Sequence, residues 1–446
     1  MANPNKRFTR LTNRRQFASS IGRGLALSTA TSIMHPCGLA NAMQPWETKR
    51  QGDGKRPKIA FLGTVVRKHS HAQHFLDRHT MGYAWGNGWQ QPRIDVASVY
   101  IDQFPKEDLG RDRVKRHRLN LVPTIEDALT LGGSQLAVDG VVIIGEHGDY
   151  PTNEKGQKRY PRYDWFKRVV KVFEQSGRSV PVFNDKHLST EWDECLEMVE
   201  DSRRLDFPFL AGSSLPVTRR MPPLDLPNGA DLRESVCVAY GGVDSYDIHA
   251  LETAQCMSER RKGGETGVKS VHALRGSALW NRLKEEDCIT TRKLIVSAIT
   301  RSHNLPVEGG FPTEVPSLAW MEKQMPNTTG YLIEHTDGLR TTMLLTGIRD
   351  FNYAGMMKDQ SILSCQMYHP MPTHGSTTAD FFNPLARHIE TLMLERRTPY
   401  PIERTLLTSG MVIAGVNSLQ QGQVVMDTPH LNIQYKAQPE STFWDV

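Results

Sequence analysis

Between Lys58 and Gly212 short apolar runs alternate with amphipathic stretches, and this alternation constrains the chain more than any other feature. Lys58 to Leu62, Arg93 to Tyr100, Val138 to Ile144, Pro181 to Phe183 and Phe207 to Gly212 have the length and the β-branched or aromatic content of strands. Helical stretches stand between them: Ala72 to Thr80, a segment opening at Thr124, Asp164 to Ser176 and Glu191 to Arg204. Thr124 and Asp127 have capping-box spacing, and Trp165, Val169, Val172 and Phe173 gather on one side of their helix. A strand that returns through a helix pairs in parallel with its predecessor, and a strand as uniformly apolar as Val138 to Ile144 is buried on both faces. The opening half is therefore α/β, a doubly wound parallel sheet.

The rhythm breaks in the proline-rich stretch from Pro216 to Asn228. Beyond it, Ser235 to Tyr240, Val268 to Leu274, Tyr331 to His335 and Thr341 to Thr346 read as strands of a mainly antiparallel, open sheet. Leu385 to Glu395 and Ile402 to Gln420 read as helices. A chain of 446 residues exceeds one ordinary core, so two domains are expected, 58–215 (Rossmann-type, doubly wound) and 216–446 (α+β), after a polar lead-in over 43–57.

Residues 1–42 are set apart by their own pattern. Asn13-Arg14-Arg15-Gln16-Phe17 has paired arginines before an aromatic, Ile21 to Ile33 is a mildly apolar core, and Ala40-Asn41-Ala42 is a small-x-small cleavage pattern. A twin-arginine export signal, and a periplasmic mature protein, are expected. The segment holds six of the 54 basic residues and none of the 49 acidic ones, so the remainder is within one charge of neutral. The basic pI of the whole chain thus gives no reason to expect nucleic acid or a membrane surface as partner. Cysteines 195, 237, 256, 288 and 365 show no C-x-x-C spacing, which excludes a disulfide scaffold or a zinc motif of the usual kind.

Chemistry is expected at strand ends. In a nucleotide-binding first crossover, glycines let backbone N–H groups approach a pyrophosphate at the helix N-terminus, and an acidic residue after the second strand binds ribose hydroxyls. Here the turn reads Gly63-Thr64-Val65-Val66-Arg67-Lys68-His69-Ser70-His71-Ala72, in which only Gly63 fits the glycine spacing; Asp102 fits the ribose-binding role.

This region is similar to the opening of the glucose-fructose oxidoreductase-like (Gfo/Idh/MocA) family, whose glycine motif is followed three residues later by His-Ala, the register of His71-Ala72. The family's Glu-Lys-Pro segment resembles Asp185-Lys186-His187, with histidine in place of proline. Its Gly-Gly segment followed by Asp and His resembles Gly241-Gly242 with Asp247 and His249, which stand closer together than is usual there. Pro401 to Leu407 and Asn417 to Gly422 resemble the closing helix.

The resemblance implies NAD or NADP, with Gly63, Thr64, His71 and Asp102 as its contacts; export in the folded state implies that it is tightly held. It also implies a sugar or polyol substrate, Lys186, Asp247 and His249 as catalytic groups, no metal, and a homo-oligomer paired through the open face of the second sheet. Lysine suits the role because its ammonium hydrogen-bonds a developing alkoxide, and an imidazole beside a carboxylate takes a hydroxyl proton.

Two other readings stay open. His69, His71, Glu146, His147, Asp149, Asp185, His187 and His249 fall at or near strand ends, where they suit zinc or iron in a sugar hydrolase or lyase. Loss of the loop glycines suits a carbohydrate-binding protein on the same scaffold. His74 and His79 are expected on a solvated helix face, and Glu259 to Gly267 as a solvated turn or a loop over a sugar.

Overall fold

The computed structural model describes residues 56–305, 316–370 and 378–445. The twin-arginine segment, and the lead-in up to residue 55, lie outside them.

The first strand, β1 (Lys58–Val65), runs into α1 (His71–Met81), followed by a small hairpin, β2 (Tyr83–Trp85) and β3 (Gly88–Gln90), that the sequence pattern did not announce. Then come β4 (Asp95–Gln103), α2 (Gly110–His117), α3 (Ile125–Thr130), β5 (Gly140–Ile144), α4 (Arg162–Ser176), β6 (Val182–Asp185), α5 (Trp192–Arg204) and β7 (Phe209–Gly212). Side chains set the helix starts: the Ser70 hydroxyl accepts from the Gln73 N–H, and the Thr124 hydroxyl from the Asp127 N–H. Asp127 answers by accepting from the Thr124 hydroxyl, so the predicted box forms with altered wiring.

Strands β1, β4, β5, β6 and β7 form one sheet in the order β4-β1-β5-β6-β7, parallel throughout. The order reverses between β1 and β5, and in doubly wound sheets such a switch point opens the ligand crevice at the carboxyl ends. One face is covered by α3, α4 and α5, through Ile125, Trp165, Val169 and Met198 against Ala60, Leu62, Val141 and Ile143. Each of the larger side chains among them contributes about 1.5–3 kcal/mol. The other face is covered by α1 and by a helix that arrives from far along the chain.

After β7 the second sheet is built from β8 (Arg220–Met221), β9 (Leu232–Tyr240), β10 (Val268–Arg275), β11 (Thr329–His335), β12 (Arg340–Thr346), β13 (Phe351–Met357), β14 (Ile362–Met367) and β15 (Val425–Asp427). Its order is β15-β10-β11-β12-β9-β13-β14-β8, antiparallel except where β9 and β12 pair in parallel. The helices here are α6 (Asp247–Ser258), α7 (Ser277–Lys284), α8 (Ile289–Ile299), α9 (Leu318–Gln324), α10 (Asn383–Glu395) and α11 (Ile402–Gln420).

Several sequence readings change. First, α10 lays Leu385, Ile389, Leu392 and Met393 against Ile59, Phe61 and Phe75, so a late segment completes the core of the first sheet. Secondly, the face of the second sheet expected to be open is covered: Leu279, Trp280, Leu294, Ile295 and Met321 from α7, α8 and α9 pack on Val236, Val238, Leu344 and Met356. Thirdly, His74 and His79 are buried, because α1 is held between the sheet and α10.

The Glu259 to Gly267 stretch is not a solvated turn. Arg261 donates to both oxygens of Glu265 at 2.9 and 3.0 Å, and His335 donates to the same buried carboxylate. A stretch held this way is structural.

Candidate functional site

The carboxyl ends of β1, β5 and β6 meet around a cavity of about 360 Å³. Its walls carry His69, His71 and His74 from the first crossover, Glu146, His147 and Tyr160 from the loop after β5, and Lys186 from the end of β6. From the second half come Ser245, Tyr246, His249, His369, Phe381 and Phe382. Three of the strand-end residues have left-handed backbone: His69 at φ 65°, His147 at φ 70° and Lys186 at φ 65°. Each such residue costs on the order of 1–3 kcal/mol and persists where the surroundings dictate it, which is common at functional sites.

Lys186 is buried and donates to Glu146 Oε1 at 2.7 Å and to the carbonyl of Ser245 at 3.2 Å. Arg162 donates to the other oxygen of Glu146 at 2.6 Å and to Nε2 of His187 at 3.1 Å. Burial opposes charge on Glu146, but the Lys186 ammonium and then the Arg162 guanidinium hold its carboxyl well below the ordinary range. His187, kept neutral by burial and by Arg162, serves as acceptor for that guanidinium and is not among the residues lining the cavity.

His71 donates from Nδ1 to Asp185 Oδ2 at 2.6 Å. A carboxylate accepts only, so Nδ1 carries a proton, and in the neutral ring this leaves the lone pair on Nε2. The pair has the arrangement of a general base with its orienting carboxylate. His71, expected from the resemblance as a cofactor contact, lines this cavity. His249 lines it too, 6.5 Å from His71 between ring centres. Burial first, with Lys186 and His71 next, pushes His249 well below the usual imidazole range; burial likewise takes His74 to about 2, and His147 and His369 to about 3. These four rings are neutral polar walls at pH 7.

Asp247 does not join them. It is the first residue of α6, fully buried, and accepts from the N–H groups of Ile248 at 2.9 Å and Asp244 at 3.1 Å and from the Tyr331 hydroxyl at 3.1 Å. Its carboxylate anchors the helix start beneath His249.

At the far side of the crevice the remaining predicted contacts are engaged with protein. Thr64 donates to the carbonyl of Glu146 at 2.5 Å, joining β1 to the loop after β5. Gly63 admits α1, since a Cβ there would lie 3.3 Å from that of Ala72. In the turn, the Arg67 and Gln73 N–H groups donate to Ser70 Oγ, His69 N–H to Gln73 Oε1 and Ser70 N–H to the Arg67 carbonyl. Asp102 is exposed and accepts from the hydroxyls of Tyr100 at 2.7 Å and Tyr150 at 2.6 Å.

Gln103 clamps the backbone of Asp149 from both sides, accepting at 2.8 Å and donating at 2.9 Å. Gly148, at φ 107°, lies so close to Val65 that a Cβ would approach the valine to 3.1 Å. Gly148 to Tyr150 thereby form a strap across the ends of β1 and β4, over Val65 and Asp102, where a dinucleotide lies in sheets of this kind. The exposed Lys68 is clear of this contact.

Among the described residues, no three His, Cys, Asp or Glu side chains come together in a geometry that could hold a metal. Glu146 and Asp185 are already occupied by Lys186, Arg162 and His71, and an ammonium in the same wall repels a cation.

No protein-family model and no curated protein sequence matches the chain. Solved structures do. GenD2 from gentamicin A biosynthesis, solved with NAD, shares 12% identity at a TM-score of 0.51, over 85% of this chain and 98% of that one. Myo-inositol dehydrogenase of Lactobacillus casei, solved with NAD(H) and myo-inositol, shares 11% at 0.51, over 87% and 100%. A probable dehydrogenase of Thermotoga maritima shares 10% at 0.51, over 84% and 99%.

The chain has the fold of these dehydrogenases. A parallel sheet with helices on both faces, followed by a mainly antiparallel one, is what the strand pattern and the family resemblance led us to expect.

Of the predicted site residues, Lys186, His249 and His71 share one cavity, Gly63, Thr64 and Asp102 mark the crevice beside it, and Asp247 lies beneath. Glu146 and His147, weighed earlier only as metal ligands, are cavity residues; their place just after the apolar β5 was the signal. Tyr160 and Arg162 close the long loop after β5, whose length is itself a pointer to a working surface; His369 carried no signal.

Proposed function

We propose that this chain is an oxidoreductase that moves a hydride between NAD(P) and a secondary hydroxyl of a sugar or cyclitol. The observation that carries the reading is the conjunction, in one cavity at the sheet's switch point, of the Lys186–Glu146 pair with the His71–Asp185 pair. The neighbours of the same fold named above, two of them solved with NAD or NAD(H), add support.

Lys186 has three N–H donors and spends two of them on Glu146 and Ser245. The third holds the oxygen of the reacting hydroxyl and stabilises the charge that grows there. His71 takes the hydroxyl proton at Nε2, while Asp185 keeps the ring in register and stabilises the imidazolium formed. His249 and His147, neutral, bind neighbouring hydroxyls; the Nδ1 atom of each is buried without a hydrogen-bond partner in the protein. A nicotinamide nucleotide supplies the hydride acceptor when bound.

Gly63, the start of α1 and Asp102 would hold that nucleotide, and the strap from Gly148 to Tyr150 stands over the same ground. Binding therefore goes with release of Tyr150 from Asp102 and of Asp149 from Gln103. The engaged turn also favours a second reading, a sugar-binding protein without redox activity. Extraction of the purified protein, with titration of NAD⁺ and NADP⁺ by calorimetry, separates the two: nucleotide recovered or bound supports the oxidoreductase, and neither overturns it. Export by the twin-arginine route fits a tightly held nucleotide, since that route carries folded proteins; steady-state kinetics would then be ping-pong.

A further inference from the structure

Beside the reaction cavity runs a groove of about 470 Å³ along one side of α1. Gln73, Asp77 and Met81 follow at intervals of four on α1 and so share one face, which lines the groove, with His69 at its head in the turn before the helix. Eleven helical residues at 1.5 Å each make it about 16 Å long. His69 and His74 line both the groove and the reaction cavity, so the groove begins where that cavity ends. At its other end stands Trp89, half exposed at 49%, its indole N–H donating to the Met81 carbonyl at 3.1 Å.

The polar groups between these ends are planar and already ordered. Gln73 Nε2 donates to Asp77 Oδ2 at 2.6 Å, and Arg113 donates to both Asp77 oxygens at 3.0 and 3.2 Å. A ligand meeting such groups spends little free energy on arranging them. In-line carboxamide, carboxylate and guanidinium groups match pairs of adjacent hydroxyls, and a fixed indole matches the C–H face of a sugar ring. A single ring would leave most of the length unfilled.

We infer that the groove along α1 binds the remainder of an oligosaccharide or glycoside whose terminal ring enters the Lys186–His71 cavity. The inference names the substrate class of the oxidoreductase reading and rests on it.

The test uses the folded chain on an array of mono- and oligosaccharides, then calorimetry with the best-bound oligosaccharide and its terminal monosaccharide. We expect the longer sugar to bind more tightly. Trp89→Ala should weaken it about tenfold and leave the monosaccharide within about twofold, while Trp89→Phe restores most of the loss. Thermal unfolding of both variants checks that the fold is kept. No gain with length, an unchanged oligosaccharide affinity in Trp89→Ala, or a parallel loss for the monosaccharide overturns the groove. If monosaccharides are oxidised with no effect of length, the groove fails and the oxidoreductase stands. If Trp89-dependent binding occurs with no nucleotide-dependent oxidation, the oxidoreductase fails and the groove remains.

Discussion

Gln103→Ala should tighten dinucleotide binding. The side chain makes two hydrogen bonds to the backbone of Asp149, at 2.8 and 2.9 Å, and these hold the strap over Asp102. An intramolecular hydrogen bond contributes about 0.5–1.5 kcal/mol net, and exposure places these two in the lower part of that range, so the clamp is worth about 1–2 kcal/mol. A conformation that must be left before a ligand binds lowers the apparent affinity by the fraction of molecules outside it. Removing the clamp should therefore lower the apparent Kd for NAD⁺ or NADP⁺ by roughly 5- to 30-fold. Tyr150→Phe, which gives up the 2.6 Å hydrogen bond to Asp102, should act in the same direction. Calorimetric titration of the parent and both variants reads the change, and limited proteolysis at Gly148 to Tyr150 should quicken in parallel. Unchanged or weakened nucleotide binding by well-folded variants would refute the reasoning, because the strap would then be part of the site.

Lys186→Met leaves the buried Glu146 with Arg162 alone; breaking such a pair costs about 3–5 kcal/mol, and turnover should drop by about 100-fold or more. Full turnover would remove Lys186 from the chemistry. Asp185→Asn keeps a group beside His71 but no longer requires the proton on Nδ1, so kcat should fall by about two to four orders of magnitude with KM little changed. A rise in KM alone would assign the pair to binding. Burial pushes Glu252 from the ordinary 4.5 up to about 7. The folded chain keeps this proton where the unfolded chain has released it, so stability falls as pH rises from about 4.5 to 7, and above that the buried charge costs about 3 kcal/mol. Glu252→Gln should lose this slope and gain stability at pH 8 relative to pH 5 in chemical denaturation; an unaltered profile would place the group's titration elsewhere. Gly212→Ala should destabilise the fold by more than about 2 kcal/mol, because at φ 127° a Cβ would stand 2.5 Å from Glu252 Oε1 and 2.9 Å from the Tyr400 hydroxyl. An unchanged Tm would contradict that contact.

The sequence by itself determined the strands of the first sheet and their order along the chain, the helices α1, α3, α4 and α5, and the strand ends after which His71, Glu146 and Lys186 follow, because apolar periodicity and capping act within a few neighbouring residues. The same local rules named α11 to the residue and found four of the eight strands of the second sheet, β9 to β12. Only the tertiary structure decided what those side chains meet. That Asp185 serves His71, 114 residues away, and that Asp247 is held by a buried tyrosine 84 residues away, no spacing encodes. The covering of the second sheet by α7 to α9, the return of α10 to the first, and the strap over Asp102 belong to the same class. Each is a choice among equally apolar or equally polar partners, and that choice is made by packing in three dimensions.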